Sequence, residues 1–122
     1  MARYFKVWQY DVSLSQLLIR SCGIYGGNTD GNVDLIFGGV FYMHFADVNH
    51  GFTLTNYEQE SFQASEEDLC AAPGFDTVET GQHGKLYVIT DGLRRGFVGA
   101  GYMRIERNQL APKQTSLQLP PF

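Results

Sequence analysis

The stretch TDGLRRGFVGAGYMRIER, Thr90 to Arg107, admits two incompatible readings. Its glycines Gly96, Gly99 and Gly101 either form a loop that cradles phosphate or lie within an extended strand. A dinucleotide-binding fingerprint sets such glycines between a strand and a helix of a βαβ unit, with an acidic residue about 20 positions further on. Here they run into YMRIER, which alternates apolar and polar residues as a strand does. The Gly-Lys-Ser/Thr ending of a phosphate loop is missing as well. The strand reading holds. With KLYVIT (Lys85 to Thr90) upstream and the Asp91-Gly92 turn dipeptide between, the segment is expected as a β-hairpin. Gly99 and Gly101 then share one face of a strand and leave a shallow trough. A large side chain such as Trp8 or a Phe fills it, or a ligand lies there against the backbone.

Working outward, the segment before the hairpin changes character. Ser65 stands three residues before Asp68, ahead of Leu69, Ala71 and Ala72 and the stop Pro73-Gly74, which predicts a short capped helix from about Ser65 to Ala72. FDTVETGQHG (Phe75 to Gly84) mixes small and polar residues around two glycines and reads as a loop. FTLTNY (Phe52 to Tyr57) alternates as a strand, with Phe52 and Leu54 facing one way. VDLIFGGVFYMHF (Val33 to Phe45) is an apolar strand broken by Gly38-Gly39, as at the corner of a curled sheet. The Gly- and Asn-rich GIYGGNTDGN (Gly23 to Asn32) is a loop. Aromatic and β-branched residues from Tyr4 to Val12 make a first strand, with Phe5, Val7 and Gln9 on one face, and SLSQLLIRSC (Ser13 to Cys22) is read as a second, with a helix capped by Ser13 and carrying Gln16 at its third position as the alternative. The tail NQLAPKQTSLQLPPF is expected to be extended, with Leu117, Leu119 and Phe122 docked on a neighbouring surface.

These elements predict an α+β fold: a mainly antiparallel, strongly curled β-sheet of about five or six strands, bent at Gly38-Gly39 and at Gly99 and Gly101, with one short helix. An all-β barrel or sandwich is the alternative. Residues 1–122 are expected as a single globular domain whose residues 109–122 form a Pro-containing tail.

Composition bounds the function. A hydrophobic fraction of 43% with nine Phe, seven Tyr and one Trp marks a packed globular chain. Residues 58–84 carry Glu58, Glu60, Glu66, Glu67, Asp68, Asp76 and Glu79 and no Lys or Arg, whereas Lys85 to Lys113 is predominantly basic, as when charges face each other in a fold. A net charge of −4 argues against general nucleic-acid binding, which depends on phosphate neutralisation. No apolar run has the length of a membrane span, and Gln9 and Asp11 interrupt the place of a signal-peptide core, so a cytoplasmic location with no membrane partner is expected. Cys22 and Cys70, without a C-x-x-C element, are read as buried free thiols.

Chemistry-bearing residues are sparse. His44, Asp47 and His50 are compact in sequence, but their spacing is that of no metal motif, and neither a metal nor a cofactor is expected. Arg94 and Arg95 form a cation pair at the hairpin tip, either a polar turn that keeps the hairpin soluble or a fork suited to an acidic protein partner or a phosphate. The abundance of aromatic residues suggests an apolar surface patch and a homodimer. A different reading places a small-ligand or enzymatic pocket inside the curled sheet, lined by Tyr42, His44, Tyr87, Tyr102, Gly99 and Gly101, with His44 as the titrating group.

At FKVWQYDVSLSQLLIRS (Phe5 to Ser21) and DLIFGGVFYMHF (Asp34 to Phe45), the chain resembles small uncharacterised bacterial proteins with a similar aromatic first strand. The resemblance implies a bacterial cytosolic setting and supplies no activity or site. The leading expectation is a non-catalytic protein-interaction module, of an immunity or regulatory type.

Overall fold

The computed structural model describes residues 2–23, 31–110 and 114–117. Among them, eight strands form two sheets: β1 (Arg3–Asp11), β2 (Gln16–Ser21), β3 (Asn32–Gly38), β4 (Tyr42–His44), β5 (Phe52–Leu54), β6 (Lys85–Thr90), β7 (Arg95–Ala100) and β8 (Tyr102–Asn108). The larger sheet has the order β5-β1-β2-β3-β8 and the smaller β4-β7-β6, with every pair antiparallel. A 3-10 turn (Gln59–Phe62) and helices α1 (Glu66–Ala71) and α2 (Val78–His83) fill the connection from β5 to β6. None of the helices is long and apolar enough to cross a membrane.

The single curled sheet of five or six strands is thus corrected to two sheets. The chain changes sheets at the glycines: β3 ends at Gly38 in the larger sheet and β4 starts at Tyr42 in the smaller, while β7 and β8 make the return passage across Gly101. The second arm of the expected hairpin is therefore two strands. The crossings lie side by side, with the Gly101 amide donating to the Gly38 carbonyl at 2.9 Å and the Phe41 amide to the Gly99 carbonyl at 2.9 Å. Gly39 takes φ +62°, which a side chain would strain.

The sheets close over a core of Phe5, Leu17, Ile19, Val33, Leu35, Phe37, Tyr87, Val98, Ala100 and Met103, joined by Phe52, Leu54 and Phe62. Alternation puts these residues on the inner faces. A bulge between Val7 and Gln9 resets β1, so that Gln9 lies opposite Leu18 instead of continuing the face of Phe5 and Val7. The outer face of the smaller sheet, with Leu86, Val88 and Phe97, is covered by Leu69, Ala72 and Phe75 of the helical connection. On the outer face of the larger sheet, Leu18 and Ile36 are covered by Leu117 of the tail, with Trp8 and Leu14 beside them. Both β2 and β3 are consequently buried on two faces.

Helix α1 begins as its sequence dictates: the Ser65 hydroxyl accepts from the Asp68 amide and the Asp68 carboxylate accepts from the Ser65 amide. Helix α2 falls where a loop was expected. Cys22 is buried as expected, but Cys70 is exposed on α1. Leu117 is docked, while Leu119, Phe122 and most of the Gly- and Asn-rich loop lie outside the described residues.

Candidate functional site

The β6–β7 hairpin tip is built by short polar side chains that bond to their own backbone. The Asp91 carboxylate accepts from the Leu93 amide at 3.0 Å and from the Arg94 amide at 2.9 Å. The Thr90 hydroxyl accepts from the Gly92 amide at 3.0 Å and donates to the Arg94 carbonyl at 2.7 Å. The Arg94 amide, then the Leu93 amide, hold the Asp91 carboxyl below its usual range. Gly92 supplies the turn with φ +93°.

Arg94 and Arg95 do not fork outward together. The Arg94 guanidinium donates to the Gly51 carbonyl at 3.0 Å, lies 3.4 Å from Asp91 and stacks over the Phe52 ring at 5.8 Å. Arg95 turns to α1, 3.0 Å from Asp68 and 3.6 Å from Glu67. This pairing joins the acidic middle of the chain to its basic end. Both arginines remain partly exposed, and both are fastened to the fold, so reversing either charge disturbs local structure. Leu93, between them and the turn, is 93% exposed. The sequence reading passed over it, although a Leu in a turn this short has nothing to pack against. Arg94 also draws the connection from β4 to β5 beside the tip, and that connection carries Val48, itself 53% exposed.

The residues of the alternative pocket are distributed over three faces. Tyr42 and His44 belong to the outer face of the smaller sheet, opposite Gly99 and Phe97. Tyr42 packs on Phe75 and donates to the Pro73 carbonyl, and burial pushes its hydroxyl above its ordinary pKa. Tyr87 points the other way, edge-on to Phe37 in the core, and is likewise raised by burial. Tyr102 lies on the larger sheet, its ring over Gly38. The trough at Gly99 is filled by the Phe41 ring, which a Cβ there would meet at 2.8 Å. Among the described residues, none offers a hydrogen-bond partner to the buried Nδ1 of His44. A separate open cleft of about 240 Å³ runs between Gln63, Ala64, Leu69, Thr80 and Lys85, and of the six residues only Tyr87 borders it. His50 and Asp47 pair at 3.1 Å on an exposed turn, and no three metal-capable side chains converge among the described residues.

The strongest polar constellation was not singled out from sequence. Arg20 and Asp34 lie directly opposite each other on β2 and β3, with side chains wholly buried. Asp34 Oδ1 accepts from Arg20 Nε at 2.7 Å. Its Oδ2 accepts from Arg20 Nη2 at 3.0 Å, from Asn108 Nδ2 at 2.7 Å and from the Ser116 hydroxyl at 2.7 Å. Arg20 Nη1 donates to the Gln114 carbonyl at 2.9 Å, and Arg104, paired with Glu106 at 2.7 Å, donates to the Ser116 carbonyl at 3.3 Å. A lone Arg in QLLIRS and a lone Asp in VDLIF were the available signal: opposite charges at matching depth in two apolar strands.

No protein-family model matches the chain, and no curated protein or solved structure is significantly similar to it.

Proposed function

We propose that the protein is a non-catalytic interaction module that docks a partner protein through the β6–β7 hairpin tip. The observation that supports this is Leu93: a large apolar side chain, 93% exposed, on a backbone pinned by the hydrogen bonds of Thr90, Asp91 and Arg94. A flexible tip would fold such a side chain back or lose entropy on binding; a pinned one meets its partner already ordered. The partly exposed guanidinium of Arg94 follows it directly in the chain, so the matching surface is an apolar socket with an acidic edge.

Leu93→Ser tests the reading without touching the fold, because Leu93 has almost no intramolecular contact to lose. Wild type immobilised in host lysate is expected to retain a stoichiometric protein that the variant loses, with the two melting temperatures equal. Equal retention by both chains rejects the tip as the contact.

A further inference from the structure

Lys85, the first residue of β6, lines the open cleft of about 240 Å³ between that strand and the helical connection. The connection is tied to the strand beside the cleft: Gln63 bridges Tyr87, and the Ala64 amide donates to the Leu86 carbonyl at 3.3 Å. Ala64, Leu69 and Leu86 make an apolar wall, and all three belong to the cluster packed on the outer face of the smaller sheet. The polar lining is Lys85, Gln63 and Thr80. Among the described residues, none gives the Lys85 ammonium or the Gln63 side-chain amide a hydrogen-bond or ion-pair partner. The Thr80 hydroxyl donates to the Thr77 carbonyl at 2.7 Å. Of the α1 acids ahead of Leu69, Glu67 and Asp68 are engaged by Arg95 and not by Lys85.

We propose that this cleft binds a small organic anion, a monocarboxylate on a short apolar body. Unspent donors call for a ligand that brings acceptors, and an ammonium among them calls for one that brings negative charge. One Lys matches one charge. A phosphate ester, with more charge and three acceptor oxygens, is met by arginines or by a row of backbone amides, whereas this lining offers a single Lys with an amide and a hydroxyl. The apolar wall sets the rest of the ligand. At about 240 Å³ the cleft is smaller than the roughly 300–1,000 Å³ of drug-sized ligand sites, so the body is a few carbons long. Binding asks little reorganisation, because the walls are tied to each other and the exposed donors give up only solvent. The cleft lies at the opposite end of β6 from the hairpin tip, which follows Thr90, and stands independently of what the tip binds.

Hexanoate is the probe, and hexanamide, the same chain without the charge, is its control. Titrated into the isotope-labelled full chain, hexanoate is expected to shift the amide resonances of Gln63, Thr80 and Leu86 saturably and to leave those of Leu93 and Arg94 unmoved. Its dissociation constant should be millimolar, as for any ligand of so few heavy atoms. Replacing hexanoate by hexanamide, or Lys85 by Gln, is expected to weaken binding about fivefold, the share of an exposed ion pair. The Lys85→Gln chain should keep the wild-type melting temperature, because the side chain is exposed and has no partner to lose. Shifts that do not saturate, or that spread over the chain without favouring the cleft, overturn the proposal. Equal affinity for hexanoate and hexanamide overturns it too, as does equal hexanoate affinity in variant and wild type. If the variant fails to fold, the comparison of the two probes on the wild type decides alone.

Discussion

Replacing Asp34 with asparagine preserves side-chain volume and removes the charge. Both carboxylate oxygens are engaged by donors: Arg20 Nε on one, and Arg20 Nη2, Asn108 and Ser116 on the other. Whichever way the new amide is turned, its NH2 group confronts a donor, and the Arg20 side chain is left buried without a counter-charge. Breaking a buried pair from one side destabilises by about 3–5 kcal/mol, against a total of about 5–15 kcal/mol for a domain. At about 4 °C per kcal/mol for a chain of this size, the melting temperature should fall by about 12–20 °C. Urea unfolding followed by fluorescence reads this locally, because Trp8 is the single tryptophan and its ring lies 5.8 Å from the Arg20 guanidinium. The double substitution Arg20→Met with Asp34→Leu should recover the ion-pair share of the loss, since exchanging a whole buried pair for apolar groups is often neutral. Only the share of Asn108 and Ser116, each deprived of an acceptor, should remain, at about 1–3 kcal/mol apiece. If Asp34→Asn costs less than about 1 kcal/mol, the carboxylate is not desolvated as described, and the reasoning about the pair fails.

Two glycines should separate sharply. At Gly38 the atoms nearest an added Cβ belong to the ring of half-exposed Tyr102, which can swing away, so Gly38→Ala should cost no more than about 1 kcal/mol. At Gly84 it meets the Ala100 carbonyl at φ +147°, so Gly84→Ala should cost about 3 kcal/mol or more by urea titration. Ser65→Ala removes the hydroxyl that caps α1 and should lower stability by about 1 kcal/mol, read in the same titration. The Asp91 carboxyl is depressed in the folded state, so its contribution is complete above the ordinary value of 3.8 and is lost as pH falls through the lower folded value. The amide resonances of Leu93 and Arg94 should therefore move together in an NMR titration below about pH 4; amides that ignore that range would contradict the turn geometry.

The strands were legible wherever one face is apolar, and the α1 cap was legible because Ser65 and Asp68 act across three residues. The β7–β8 break was hidden in plain alternation. Val98 and Ala100 face the core at even positions and Met103 and Ile105 at odd ones, so parity slips at Gly101, a signal that the continuous apolar-polar rhythm of the segment conceals. Helix α2 was missed because VETGQH carries a glycine and little apolar stripe to announce a helix; in the fold His83 at its end packs against the Phe41 ring at 5.6 Å. For the site, Arg94 and Arg95 were legible as a cationic tip, but not their tethers, since Gly51, Asp68 and Glu67 are remote in sequence. The Arg20–Asp34 pair needed strand register, which no single strand encodes.

The paired crossings at Gly38-Gly39 and Gly101 act as the spine of a book. Both crossing segments bend there side by side, tied by the Gly101–Gly38 and Phe41–Gly99 hydrogen bonds, so the two sheets are joined along one line. On the far margin, β5 and β6 are the outermost strands of their sheets, and the Arg94 contact to Gly51 closes them like a clasp. A partner docked at the tip, as proposed, would therefore also hold the contact that ties the two outer strands together.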